Sequence, residues 1–162
     1  MSAELSEQNR HNLDQLATFL WDNNPQEQFD MSFVYYRRPH GCHTTACAMG
    51  WAPVALGDLK EIEDGKAHEV DGNLDIDSYC FEKFGFDGLD IFSHVWDWIF
   101  SGYWDAIDNT PRGAAKRIWF VLLADSLDDI QYGPDAHLTC GEELTSMYAH
   151  LTPQHSPFAK RE

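Results

Sequence analysis

Thr110-Pro111-Arg112-Gly113-Ala114-Ala115-Lys116-Arg117-Ile118-Trp119-Phe120-Val121-Leu122-Leu123 decides the fold. The Thr110 hydroxyl can accept one of the orphan amide hydrogens of a helix start. Pro111 suits the first helical position, where no N–H is needed. Ala114, Ile118, Val121 and Leu122 then fall on one helical face, which predicts a helix running to about Leu127. A second stripe lies near the start of the chain. Leu13, Leu16, Ala17 and Leu20 follow the i, i+3, i+4, i+7 pattern, predicting a helix from about Glu4 to Asp22 that Asn23-Asn24-Pro25 stops. Two such faces need partners, and together with Ala48 and Ile99 they are expected to share one core.

Working outward, Phe29, Met31, Phe33 and Tyr35 alternate, as a short strand with one buried face would. Thr44 or Thr45 is placed to cap a helix from Ala46 through Trp51. Pro53 should kink it or start a second short helix ending near Gly57. Asp64-Gly65 and Asp71-Gly72 are turn signals for a small exposed hairpin. Asp77 is placed to cap a helix through Tyr79, Phe81 and Phe84, stopped by Gly85. Asp90 opens another, with Ile91, Val95, Trp98 and Ile99 on its apolar face. A last helix is predicted near Thr139, with Glu142 completing a capping box, Leu144, Met147 and Leu151 facing inward, and Pro153 at its end. The expected fold is mainly α (α+β): a single compact helical domain over residues 1–152 with a small β-hairpin or short strands, then a loose tail at 153–162.

At 162 residues with 43% hydrophobic side chains, the chain needs no disulfide or metal simply to fold. Its four cysteines are too few for a disulfide scaffold. Met1-Ser2-Ala3-Glu4-Leu5 lacks the basic and apolar regions of a signal peptide, and no apolar run is long enough to span a bilayer. Reduced thiols and a cytoplasmic location are therefore expected.

Charge is the unusual property. The formal net charge is −16, and residues 57–108 hold 14 acids against Lys60, Lys66 and Lys83, a net −11. Direct binding to nucleic acid or to an anionic membrane is disfavoured. Basic proteins or divalent cations are the favoured partners. Asp58, Glu61, Glu63, Asp64, Asp71, Asp75 and Asp77 form the candidate partner-binding set. Carboxylates arrayed on a surface can imitate duplex phosphates and occupy the basic groove of a nucleic-acid-binding protein.

His40, Cys42, His43 and Cys47 form an alternative site for a small ligand or a thiol nucleophile. Cys42 precedes a predicted helix start, which lowers a thiol's pKa, and either histidine is placed to act as base. Their spacing is not a standard zinc arrangement, so no metal is expected there. Asp71, Asn73, Asp75 and Glu82 match calcium-loop positions, but Ile76 stands where such a loop needs Gly. No cofactor is predicted, and the common nucleotide-binding, zinc-protease and serine-hydrolase signatures are missing. The aromatic run from Phe81 to Trp104 reads as core. Trp96 and Trp98 cannot face the same side, so one of them should be at least partly exposed.

Phe29-Asp30-Met31 and Cys42-His43-Thr44-Thr45-Ala46-Cys47-Ala48-Met49-Gly50-Trp51, with Trp104, Asn109-Thr110-Pro111, Ala114-Ala115 and Arg117-Ile118, resemble a motif of small uncharacterised proteins of bacteria and their phages. That motif reads Cys-Gly-Thr-x-x-Cys-Ala-x-Gly followed by His or Trp, and this chain departs from it at His43, where Gly is usual. The resemblance spans most of residues 10–125. It implies no activity, only a gene that travels with phages or mobile elements. Combined with the charge, it points to an acidic protein-binding module, an inhibitor of a host nucleic-acid or defence protein, rather than to an enzyme.

Overall fold

A computed structural model describes residues 5–31, 36–37, 44–45, 47–60, 76–85, 93–127, 130 and 141–159. The described chain is mainly helical: α1 (Glu7–Asn23), α2 (Ala48–Ala55), α3 (Ile76–Phe84), α4 (Ser93–Phe100), α5 (Pro111–Leu123) and α6 (Gly141–Ser146), with short 3-10 helices at Gln26–Gln28, Gly102–Ala106 and Pro153–His155. None of these helices is long and apolar enough to cross a membrane.

The first stripe forms α1. Ser6 caps it by accepting from the Asn9 N–H at 3.1 Å, so the helix starts a turn later than Glu4. Asn24 ends it in the left-handed region at φ 42°, and Pro25 follows. The second stripe forms α5, where Thr110 accepts from the Gly113 N–H at 2.9 Å and Pro111 takes the first turn. These two helices make the main packing contact. Arg10 near the start of α1 donates to the Leu122 carbonyl near the end of α5 at 2.9 Å. Arg112 near the start of α5 donates to the Trp21 carbonyl near the end of α1. The two helices therefore run antiparallel. Leu13, Leu16, Leu20, Ala48, Ile99, Ile118, Val121 and Leu122 are all buried in one cluster, as their periodicity requires.

Helix α2 packs on α1, α3 and α4. Pro53 lies inside it and has no N–H to offer the Met49 carbonyl. The Cys80 thiol of α3 donates to that carbonyl instead, at 3.8 Å. Gly57, at φ 85°, turns the chain out of the helix while the Gly57 and Asp58 amides return to the carbonyls of Val54 and Pro53. This is the Schellman closure. Gly85, at φ 79°, ends α3 where the sequence placed the stop. In α4, Trp98 is buried and Trp96 is half-buried between Phe81 and Phe100.

Several expectations need correction. Thr44–Thr45 does not cap a helix. It forms β2, antiparallel to β1 (Tyr36–Arg37), with Tyr36 opposite Thr45 and Arg37 opposite Thr44. An extended backbone at Thr44–Thr45 delays the helix, and Cys47 becomes the N-cap of α2. Among the described residues this two-residue ladder is the paired strand structure. The hairpin expected at Asp64-Gly65 and Asp71-Gly72 is not supported, and those residues lie outside the described set. Of the alternating run, Phe29 and Met31 are buried, while Phe33 and Tyr35 lie outside it. Helix α3 begins at Ile76, so Asp77 falls within its first turn rather than ahead of it. Near the end of the chain, Ser156 and Phe158 pack back on α1. The Ser156 hydroxyl donates to Asp14 of α1, and Phe158 stacks on His11 with ring centroids 3.8 Å apart. The side-chain stripe of α1 explains inward packing only. The polar and aromatic groups on its other flank seat this segment.

Gly57 and Gly85 separate two costs of replacing glycine. Alanine at either meets the left-handed penalty of about 1–2 kcal/mol. A methyl group at Gly85 would also crowd the Asn9 side-chain amide, whereas nothing lies within 4 Å at Gly57. In urea melts, Gly85→Ala should lose clearly more stability than Gly57→Ala. Equal losses would mean that the Asn9 side chain swings aside at no cost.

Candidate functional site

Of the seven acids in the candidate partner-binding set, Asp58 has a described side chain. It is exposed, yet committed: its carboxylate accepts from the hydroxyl of buried Tyr79. Asp58 follows α2 and Tyr79 belongs to α3, so this bond ties the end of α2 to α3. The segment 61–75 carries Glu61, Glu63, Asp64, Asp71 and Asp75, which lie outside the described residues. Asp77 is placed on the backbone of α3. The other exposed described acids are Glu7, Asp22, Glu27, Glu82, Asp105, Asp125, Glu142 and Glu143. They are spread over several elements, so negative charge is not confined to residues 57–108.

His40, Cys42 and His43 lie outside the described residues, between β1 and β2. Cys47 is described, and its setting is poor for nucleophilic chemistry. Its position at the start of α2 would ordinarily favour a thiolate. Burial overrides this and pushes the thiol from 9.0 up to about 11, against a smaller lowering by backbone hydrogen bonding, with the nearby Asp30 carboxylate raising it further. Cys47 and Cys80 are both free, buried thiols. Among the described residues no group of three metal-ligating side chains converges.

The motif segments do meet. The Asn109 side chain accepts from the Met31 N–H at 2.7 Å and donates to Asp30 at 3.1 Å. The Trp51 indole donates to the Gln28 carbonyl at 3.0 Å. Each of these bonds satisfies a partly buried polar group and joins distant parts of the chain. The motif residues that are described thus act as fasteners.

The densest cluster of charge and aromatic groups was not singled out in the sequence. The Arg117 side chain is fully buried, while that of Asp108 is 21% exposed. Arg117 Nη1 donates to the Asp108 carbonyl oxygen at 3.2 Å and to the Tyr148 hydroxyl at 3.3 Å, and lies 3.4 Å from Asp108 Oδ2. The Tyr148 hydroxyl donates in turn to Asp108 Oδ2 at 2.9 Å, and Thr110 donates to Oδ1 at 2.7 Å. The guanidinium carbon sits 4.2 Å from the centre of the Trp104 ring. Burial lowers the Arg117 pKa and raises that of Tyr148 to about 12. Arg117 Nε and Nη2 have no hydrogen-bond partner among the described residues. A sequence signal did exist: Arg117 falls on the same helical face as Ala114, Ile118 and Val121.

No protein-family model matches the chain, and neither the curated proteins nor the solved structures give a match.

The Cys47 shift has a sign that can be tested. The fold holds the thiol protonated more tightly than the unfolded chain does. Its contribution is therefore fully present below pH 9.0 and is lost as pH rises towards about 11. The loss amounts to about 2–3 kcal/mol. Urea midpoints measured across this range should fall less steeply for Cys47→Ala than for the wild type. Parallel curves would mean that the thiol is solvated.

Proposed function

We propose that this chain is an acidic protein-binding module whose partner is a basic protein. Nucleic-acid-binding proteins are the class whose grooves best match an array of carboxylates. The observation that carries this reading is how five described cations are used, Lys60 being the exposed exception. Arg10, Arg112 and Lys116 each donate to a main-chain carbonyl. Arg112 and Lys116 also lie over the Trp21 ring, and Lys83 lies over Tyr79. Arg117 is buried with Asp108. These positive charges hold the fold together instead of neutralising the exposed carboxylates. A negative field of this kind steers a basic partner and accelerates its association.

The acidic run 61–75 adds to this reading through its charge, because it carries Glu61, Glu63, Asp64, Asp71 and Asp75. The resemblance to phage-borne proteins fits an inhibitor of a host nucleic-acid-binding protein.

The test begins with capture from a bacterial lysate at low and high salt, followed by association rates with the purified partner. The chain should retain a basic protein at low salt and release it at high salt. Replacing Glu61 and Glu63 by Gln, and Asp64 and Asp71 by Asn, should slow association while changing stability by less than about 0.5 kcal/mol. Binding that ignores both salt and these substitutions would refute the reading.

A further inference from the structure

A second acidic feature lies on α1. Asp14 Oδ1 accepts from the Trp119 indole at 3.0 Å and from the Ser156 hydroxyl. These bonds fix the carboxylate. They leave Oδ2 without a hydrogen-bond partner among the described residues. The carboxylate borders a groove of about 460 Å³ lined by His11, Asp14, Gln15, Thr18, Phe19 and Ala55.

The groove is rich in acceptors. Gln15 spends its amide N–H on the Ala55 carbonyl at 3.1 Å, which leaves its own carbonyl oxygen uncommitted. Thr18 is exposed and adds a hydroxyl. Ala55 is the last residue of α2 and closes one side of the groove. Phe19 supplies an aromatic ring, a favourable neighbour for a cation. No Lys or Arg is among the lining residues. His11, the one lining residue able to become cationic, lies 3.8 Å from the Glu7 carboxylate.

From this charge complementarity we infer that the groove receives the cationic side chain, lysine or arginine, of a basic protein partner. A prepositioned carboxylate oxygen makes a charge-assisted hydrogen bond with an ammonium or guanidinium group. The inference deepens the acidic-module reading by giving the partner a defined contact. Asp58, where the acidic segment departs, follows Ala55 by three residues. The groove and the segment therefore adjoin along the chain.

The probes are the acetylated amides of arginine and lysine, with the citrulline amide as a neutral control, titrated into the labelled full chain and followed by amide NMR shifts. Saturable shifts are expected at Asp14, Thr18, Phe19 and Ala55 with one or both cationic probes and not with citrulline. The two arms show which cation is preferred. Asp14→Asn keeps an acceptor for Trp119 and Ser156 and should fold, but should weaken binding about tenfold. Thr18→Lys, at an exposed position, should do the same by placing a cation at the groove. Glu61→Gln, Glu63→Gln, Asp64→Asn and Asp71→Asn together should leave probe binding unchanged. Shifts scattered over all exposed carboxylates, or unaffected by Asp14→Asn and Thr18→Lys, would overturn the groove. Loss of salt-dependent partner capture with probe binding intact would instead count against the acidic-segment reading alone.

Discussion

Arg117 carries a positive charge into the interior of a strongly acidic protein, and the arrangement of α5 and its neighbours depends on how that charge is held. Taking a guanidinium out of water is costly unless charge and hydrogen bonds replace the solvent. Asp108 supplies a carboxylate and a main-chain carbonyl, Tyr148 a hydroxyl, and Trp104 an aromatic face. These groups come from the turn before α5, from the segment after α6 and from the 3-10 helix after α4. One buried cation thus fixes the relative positions of three parts of the chain.

The same economy applies to Arg10, Arg112 and Lys116. Arg10 and Arg112 fasten the two ends of the α1–α5 pair, and Lys116 holds the Ala149 carbonyl. Hydrogen bonds to carbonyls leave the positive charge present but directed at the backbone and the rings. The exposed acids on α1, α3 and α6 consequently face solvent with little local compensation. The proposed function rests on this surplus of exposed carboxylates, although Asp14, Asp30, Asp58 and Asp108 spend theirs on the fold.

Much of the helical framework was legible in the sequence because apolar periodicity and capping chemistry agree. Thr110-Pro111 and the Ala114–Leu122 stripe gave α5, and Leu13, Leu16 and Leu20 gave α1. The Gly85 stop was legible for a similar reason, since glycine after an apolar run marks a left-handed exit. Arg117 was less legible because a cation on an apolar stripe looks like a solvated interruption until its partners are known. Those partners lie at Trp104, Asp108 and Tyr148, at spacings no local pattern encodes. Thr44–Thr45 reads differently for the opposite reason: a good capping residue type is drawn into a strand by pairing with Tyr36–Arg37, seven to nine residues earlier. Docking of residues 153–159 depends on Asp14, which looks like an ordinary surface acid in the sequence. The candidate acids were legible as composition, but the Tyr79 bond that anchors Asp58 was not.

The measurement that bears most directly on the uncompensated surface charge is the urea midpoint of the full chain as sodium chloride is raised. Repulsion between exposed carboxylates is screened by salt. The midpoint should therefore rise with salt while the denaturant slope stays constant. A midpoint that falls as salt is added would mean that attractive ion pairs dominate the surface, and would contradict the account of an uncompensated surplus of exposed carboxylates.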